Sequence, residues 1–149
     1  MIKRYEFFCV FLTGGIVYTI VEIAWRGYSH WSMTIVGGIC FLLIHLLNGL
    51  LTKKKTAVEF LLKCVLGGAV ITLIELAAGV LLNIRLGLNV WDYSDVYGNL
   101  WGQTCPSYTL AWIAVSAPAI WLSDIIKKFF GLIGTGDGYV AAERKSGET

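Results

Sequence analysis

Two glutamates stand inside long apolar runs, and they are the residues from which chemistry would have to start. Glu22 follows GGIVYTIV and Glu75 follows GGAVITLI, so each acid sits in the same local frame. An ionisable group inside a membrane-spanning helix is costly and marks a functional site by default. Two carboxylates on equivalent faces of equivalent helices repel each other if brought together. That arrangement suits a shared proton, a bound cation or general acid/base work. The competing reading is structural. Glu22 is four residues before Arg26 and could pair with it along one helix face, and Glu75 could hydrogen-bond to a neighbouring polar segment and lock helix packing.

A second group of candidates lies in the polar, aromatic stretch around 83–103, which interrupts two apolar runs. Trp91, Asp92, Tyr93, Asn99 and Gln103 come from it, and His30 comes from the short link after the first apolar run. With Glu22, Glu75 and Arg26 they make a candidate substrate- or ion-binding vestibule. Taken singly, the aromatics fit better as an interfacial belt, and Asp92 or Ser94 could be helix caps. His45, with Asn48 one turn on, reads first as a hydrogen bond across a helix interface and second as a proton relay.

The elements that must position these residues follow from composition. The chain has 149 residues, 56% hydrophobic and 15% charged, with mean hydropathy +0.68. A soluble domain is about 25% charged. About 20 apolar residues cross a bilayer, so the length accommodates four crossings. The fold expected is an all-α integral membrane bundle of four transmembrane helices, at about 5–25, 33–51, 57–82 and 98–130. A flexible cytoplasmic tail is expected over 131–149. Ser32 is the expected cap of the second helix, and Asn99 to Gln103 are expected in the first turns of the fourth, with Pro118 kinking it.

Lys3, Arg4, the cluster Lys53, Lys54 and Lys55, and then Lys127 and Lys128 all fall at one end of these helices, against Arg26 and Arg85 at the other. The positive-inside rule therefore places both termini in the cytoplasm. The N-terminal run resembles a signal peptide but is long, carries Glu22 and lacks a small-x-small cleavage site, so it reads as an uncleaved helix. The frame GGxVxTxxExA occurs at Gly14 to Ala24 and again at Gly67 to Ala77. The chain thus reads as two tandem helical hairpins. Internal repeats recur in transporters, with sites at the repeat interface.

Other classes are weakly represented. The net charge of +2 is not gathered into a basic face, so no nucleic-acid partner is expected. Cys9, Cys40 and Cys64 sit in apolar runs and behave as small hydrophobes, while Cys105 is near polar residues; no disulfide, metal site or cofactor is expected. Gly134 to Gly138 lacks the strand and lysine of a phosphate loop, and no Walker A pattern occurs elsewhere.

The run Trp91-Asp92-Tyr93-Ser94, then Asn99-Leu100, then Gly102-Gln103-x-Cys105, followed by Trp112 and preceded by Gly68 seven residues before Glu75, resembles the ABC-transporter type IV permease family. The likeness covers about 66–121 and is weaker over the first hairpin, where Glu22 and Gly37 anchor it. It implies a transport-related role in the bacterial cytoplasmic membrane. An ATPase partner is compatible with the name, but the sequence itself does not support one: the turn at Lys53 to Lys55 is too short for a docking helix.

The function expected is therefore a small multi-pass, permease-like or ion- or proton-coupled membrane protein, more a transport component than an enzyme. It would sit in the lipid bilayer as a homo-oligomer or with other membrane subunits. The alternatives are an enzyme acting on a lipid-linked substrate at the outer leaflet, with Glu75 and Asp92 as acid and base and His30 assisting, and a structural or regulatory membrane subunit.

Overall fold

Apolar runs without internal turn signals become helices because a backbone that cannot reach water must satisfy its own hydrogen bonds. The computed structural model describes the backbone of residues 2–51 and 56–146, and side chains for 4–51 and 56–132. The Lys53 to Lys55 cluster and most side chains of the expected tail fall outside the described residues.

Four long helices form: α1 (Ile2–Arg26), α2 (Trp31–Leu50), α3 (Ala57–Gly79) and α4 (Pro106–Ser146). All four contain segments long and apolar enough to span a membrane: Arg4–Arg26, Trp31–Leu50, Ala57–Arg85 and Pro106–Leu132. No strand occurs among the described residues, only an isolated bridge between Leu100 and Thr104. The bundle has a turn end, where α2 hands over to α3, and a loop end, where residues 86–105 lie.

The helix boundaries differ from expectation in four places, one of them the end of α4, which continues helical to Ser146 where a flexible tail was expected from 131. α2 is capped by His30, not Ser32: the His30 ring nitrogen accepts from the Ser32 backbone N–H at 3.4 Å and meets the Ser32 hydroxyl at 2.7 Å. An imidazole two residues upstream offers the same acceptor that a serine cap would. α3 continues past 82 into a π-helical turn, Val80–Arg85. The fourth helix begins at Pro106 and not near Gly98. Gly98, Trp101 and Gly102 all have positive φ (74°, 54° and 67°), which no right-handed helix tolerates. Pro106 takes the first helical position, where its missing N–H costs nothing. Asn99 and Gln103 are consequently loop residues. At the start of α3, Thr56 accepts from Glu59 N at 3.2 Å, as a Thr-x-x-Glu sequence allows.

α1 packs chiefly on α2, and α3 on α4. Small residues allow both approaches. A Cβ on Gly15 would lie 2.5 Å from the Thr34 carbonyl oxygen, and one on Gly68 would lie 2.8 Å from the Ile113 backbone nitrogen. Beside each glycine a threonine repeats one device. Thr19 donates to Gly15 O at 2.9 Å and meets the Thr34 hydroxyl at 2.7 Å. Thr72 donates to Gly68 O at 2.9 Å and meets the Thr109 hydroxyl at 3.2 Å.

The two helical pairs meet over an apolar layer of Cys40, Ile44, Cys64, Ile71 and Ile120. Nearer the loop, Met33 packs against Leu82, Val90 and Trp91. All four cysteines are free thiols, and three of them are buried.

Overpacking a close helix crossing costs about 1–3 kcal/mol. Gly68→Leu, which must displace α4 backbone, is expected to lose that much stability in detergent-micelle thermal unfolding. Gly131→Ala, which lies inside α4 with open space around its Cβ position, is expected to leave the transition where it is or raise it slightly, since alanine favours a helix over glycine.

Candidate functional site

Glu75 lies on the face of α3 turned toward α4 and the loop, and it is buried. Its Oε1 accepts from the Tyr93 hydroxyl at 3.1 Å. Its Oε2 accepts from the Thr104 hydroxyl at 3.1 Å and from Trp112 Nε1 at 3.0 Å. Two donors thus come from the loop and one from α4. No cation pairs with Glu75 among the described residues. Aromatic rings enclose it: Tyr93 stacks on Tyr108 with centroids 4.4 Å apart, and Trp112 lies 6.4 Å from Tyr108 and 6.3 Å from Tyr18 of α1. Burial and the neighbouring Glu75 carboxylate push the Tyr93 phenol well above its ordinary value, so Tyr93 stays a donor.

Glu22 has a different environment. It forms an ion pair with Arg26, one turn on, and accepts from the Ser29 hydroxyl. Arg26 also donates from Nη1 to the Val90 carbonyl at 3.2 Å and lies over the Tyr28 ring at 4.9 Å. The i,i+4 spacing already pointed to this pair.

The loop that reaches Glu75 is fastened by Asn83, which no sequence signal singled out beyond its being an amide at the end of an apolar run. The π-helical turn carries it inward. Its Nδ2 donates to Trp91 O at 2.9 Å and to Gln103 Oε1 at 2.7 Å, and its Oδ1 accepts from Val90 N at 2.7 Å. Trp91, buried, donates from Nε1 to Gln103 O at 2.9 Å. Gln103 sits so close to α3 that a Cβ on Gly79 would lie 2.5 Å from its Oε1.

The other candidates build turns. Asp92 is exposed and accepts from Ser94 N at 2.8 Å and from the Ser94 hydroxyl at 2.5 Å. Those two bonds hold its carboxyl below the usual carboxylate range. Asn99 donates to Ser94 O and Val96 O and accepts from Gly102 N at 2.9 Å. His30 is occupied with the start of α2. Tyr93, Thr104 and Trp112 are therefore the residues brought to Glu75. Trp91 and Gln103 support the loop, and Asp92, Asn99 and His30 do not reach the carboxylate. An open depression of about 460 Å³ lies beside the site, lined by Gly98, Leu100, Thr104, Cys105, Pro106, Thr109 and Leu110. It shares Thr104 with Glu75 and is otherwise mostly apolar.

A second polar cluster occupies the turn end. Asn48 donates to Ser123 Oγ at 3.2 Å and to Asp124 Oδ1 at 2.8 Å, and it accepts from Lys63 Nζ at 3.1 Å. His45 meets Ser123 Oγ at 3.0 Å through Nδ1 and Glu6 at 3.2 Å through Nε2. Lys63 also pairs with Glu59 at 3.1 Å. Hydrogen bonding across a helix interface is the role expected of His45.

A family model described as "Putative ABC-transporter type IV" matches residues 38–137. No curated protein and no solved structure matches the chain. The matched span contains Glu75 and all three of its donors, as well as Asn83.

Two measurements check this geometry. Asn83→Leu removes three hydrogen bonds and leaves Val90 N–H and Gln103 Oε1 buried without partners, at a cost of about 2–4 kcal/mol; hydrogen exchange over 86–105 is expected to accelerate, with α1 and α2 unaffected. The Asp92 pKa is depressed in the folded loop, so the turn is supported above the ordinary aspartate value near 4 and loses that support as pH falls through the folded pKa. Ser94→Ala is expected to return the Asp92 titration, followed by NMR, toward the ordinary value.

Proposed function

The chain belongs to that family, and on this premise we propose that it is a transport-related, multi-pass membrane subunit in which the buried Glu75 carboxylate takes up a proton or a small cation. The observation that carries the reading is the contrast between the two acids. Glu22 is neutralised by Arg26, whereas Glu75 has three neutral donors and no paired cation among the described residues. A buried carboxylate so held remains short of one positive charge. The closed aromatic shell favours a proton over a bulky ion.

The orientation proposed has both termini in the cytoplasm and the Glu75 loop outside, on the positive-inside distribution of lysines and arginines. The repeated Thr–Gly–Thr device supports an origin by duplication of a helical hairpin. It pairs Thr34 with Thr109 as equivalent positions, and so aligns the start of α2 at Trp31 with the start of α4 at Pro106. The bacterial cytoplasmic membrane is the location in keeping with the family resemblance. Four helices enclose little volume, so a homo-oligomer or further membrane subunits belong to the proposal. No Walker A pattern occurs in these 149 residues, so an ATPase is not part of the proposal.

One observation favours a second reading. Every oxygen of Glu75 is already bonded, and a structural or regulatory subunit would use the same clamp simply to hold the loop. The enzyme alternative has no such support, because Asp92 and His30 are spent on local turns and caps.

Purified protein in liposomes separates the readings. Proton or monovalent-cation flux is expected in the unsubstituted protein and is expected to disappear in Glu75→Gln. Flux absent from the unsubstituted protein, or unchanged in Glu75→Gln, removes the transport reading and leaves the structural one. Glu22→Gln, which breaks an ion pair, is expected to lower thermal stability in the same preparation.

A further inference from the structure

The two helical pairs are joined very differently at their two ends. At the turn end, four hydrogen bonds cross from α2 to α3 and α4: Asn48 to Ser123 and to Asp124, Lys63 to Asn48, and His45 with Ser123. Asn48 takes part in three of them and is 1% exposed. Polar bonds between helices in a membrane are directional and resist sliding. In the middle the contact is the apolar layer of Cys40, Ile44, Cys64, Ile71 and Ile120. At the loop end the packing is again apolar, Met33 against Leu82, Val90 and Trp91. There, among the described residues, a single hydrogen bond crosses between the pairs, from Arg26 Nη1 to Val90 O at 3.2 Å. The Arg26 side chain is itself not fully satisfied, because its buried Nε has no acceptor. A buried donor left without a partner favours any state that gives it one.

We propose that the chain opens at its loop end: α1–α2 rocks away from α3–α4 about a pivot at Asn48, with the Arg26–Val90 bond as the latch. Opening frees Arg26 Nε to find an acceptor. It also lifts Tyr18 of α1 from Trp112, the ring that donates to Glu75. The buried carboxylate is thereby uncovered from the side of the first hairpin. The motion supplies a route to Glu75, and it stands whether Glu75 binds a proton or only holds the loop.

The experiment is double electron–electron resonance on the full chain in lipid nanodiscs. Spin labels are attached through ketone-bearing unnatural residues, so that the four free thiols stay in place. One pair replaces Trp25 and Tyr97 at the loop end, and another replaces Leu50 and Phe129 at the turn end; all four side chains are exposed. In the otherwise unsubstituted protein the loop-end distribution is expected to be the broader. Arg26→Gln is expected to add a population several ångströms longer at the loop end and to leave the turn-end pair unchanged. Arg26→Lys keeps a charge beside Glu22 but has one nitrogen in place of the two that bond Glu22 and Val90 O separately, and is expected to act the same way. Asn48→Leu is expected to broaden the turn-end pair. Equal widths at the two ends in the unsubstituted protein, or an unchanged loop-end distribution in both Arg26 variants, overturn the proposal. Because the readout is distance and not flux, a failure here is distinct from loss of the transport reading.

Discussion

A carboxylate buried among apolar helices must collect hydrogen-bond donors from wherever the chain can bring them, and most of the loop end follows from that need at Glu75. α3 supplies the acid but none of its donors. Trp112 can donate only if α4 starts at a level that puts its second turn opposite Glu75. Thr104 must then lie just before Pro106, outside the helix. Tyr93 must come from a loop that folds back over the bundle. The left-handed residues at Gly98, Trp101 and Gly102 make that reversal possible. The loop is therefore better described as part of the core than as a connection.

Asn83 meets the matching constraint on the backbone. A loop held inside a membrane-facing bundle carries polar groups that cannot be left unpaired. One amide side chain satisfies Val90 N–H, Trp91 O and Gln103 Oε1 together. An uninterrupted α-helix would present a different face at residue 83. The π-helical turn inserts the offset that aims Asn83 inward, which accounts for an irregular segment at this point of α3.

Much of this was legible in the residues, and the failures have physical causes. The four spans follow from apolar runs, and the Glu22–Arg26 and Glu59–Lys63 pairs follow from i,i+4 spacing. The importance of Tyr93 and Gln103 follows from polar residues placed between lipid-compatible segments. The start of α4 lies eight residues later than Gly98 because the turn residues with positive φ at Gly98, Trp101 and Gly102 keep the chain out of the helix until Pro106, and no apolar or polar spacing signals that delay. Positive φ at Trp101 has no residue-type signature, since a bulky side chain rarely adopts it. Asn83 was invisible as a hub because its three partners are brought together only by the fold. Of the polar cluster at the turn end, His45 and Asn48 were legible as interface residues, but their partners Lys63, Ser123 and Asp124 lie far from them in sequence and each, alone, resembles an ordinary helix-end residue.

The positions of the two polar clusters constrain any mechanism. Glu75 and its donors lie at one end, and Asn48 with His45 and Lys63 at the other. Between them the described side chains form a largely apolar layer, in which the buried Ser116 hydroxyl is turned back to its own helix and donates to Trp112 O at 2.8 Å. One hydroxyl so engaged does not make a chain of hydrogen bonds from one polar cluster to the other. A path through the molecule would therefore have to open between the helical pairs or form between copies. The asymmetry of the joints decides where the first of these would begin. Four directional bonds anchor one end, while the other is closed by apolar contacts and a single bond from an arginine with a donor to spare. Apolar contacts between helices in lipid carry little of the driving force they have in water, since lipid chains replace them at small cost. The loop end is thus the weaker joint in a membrane even though it is the more elaborately folded one, and its elaboration lies almost wholly within the second pair.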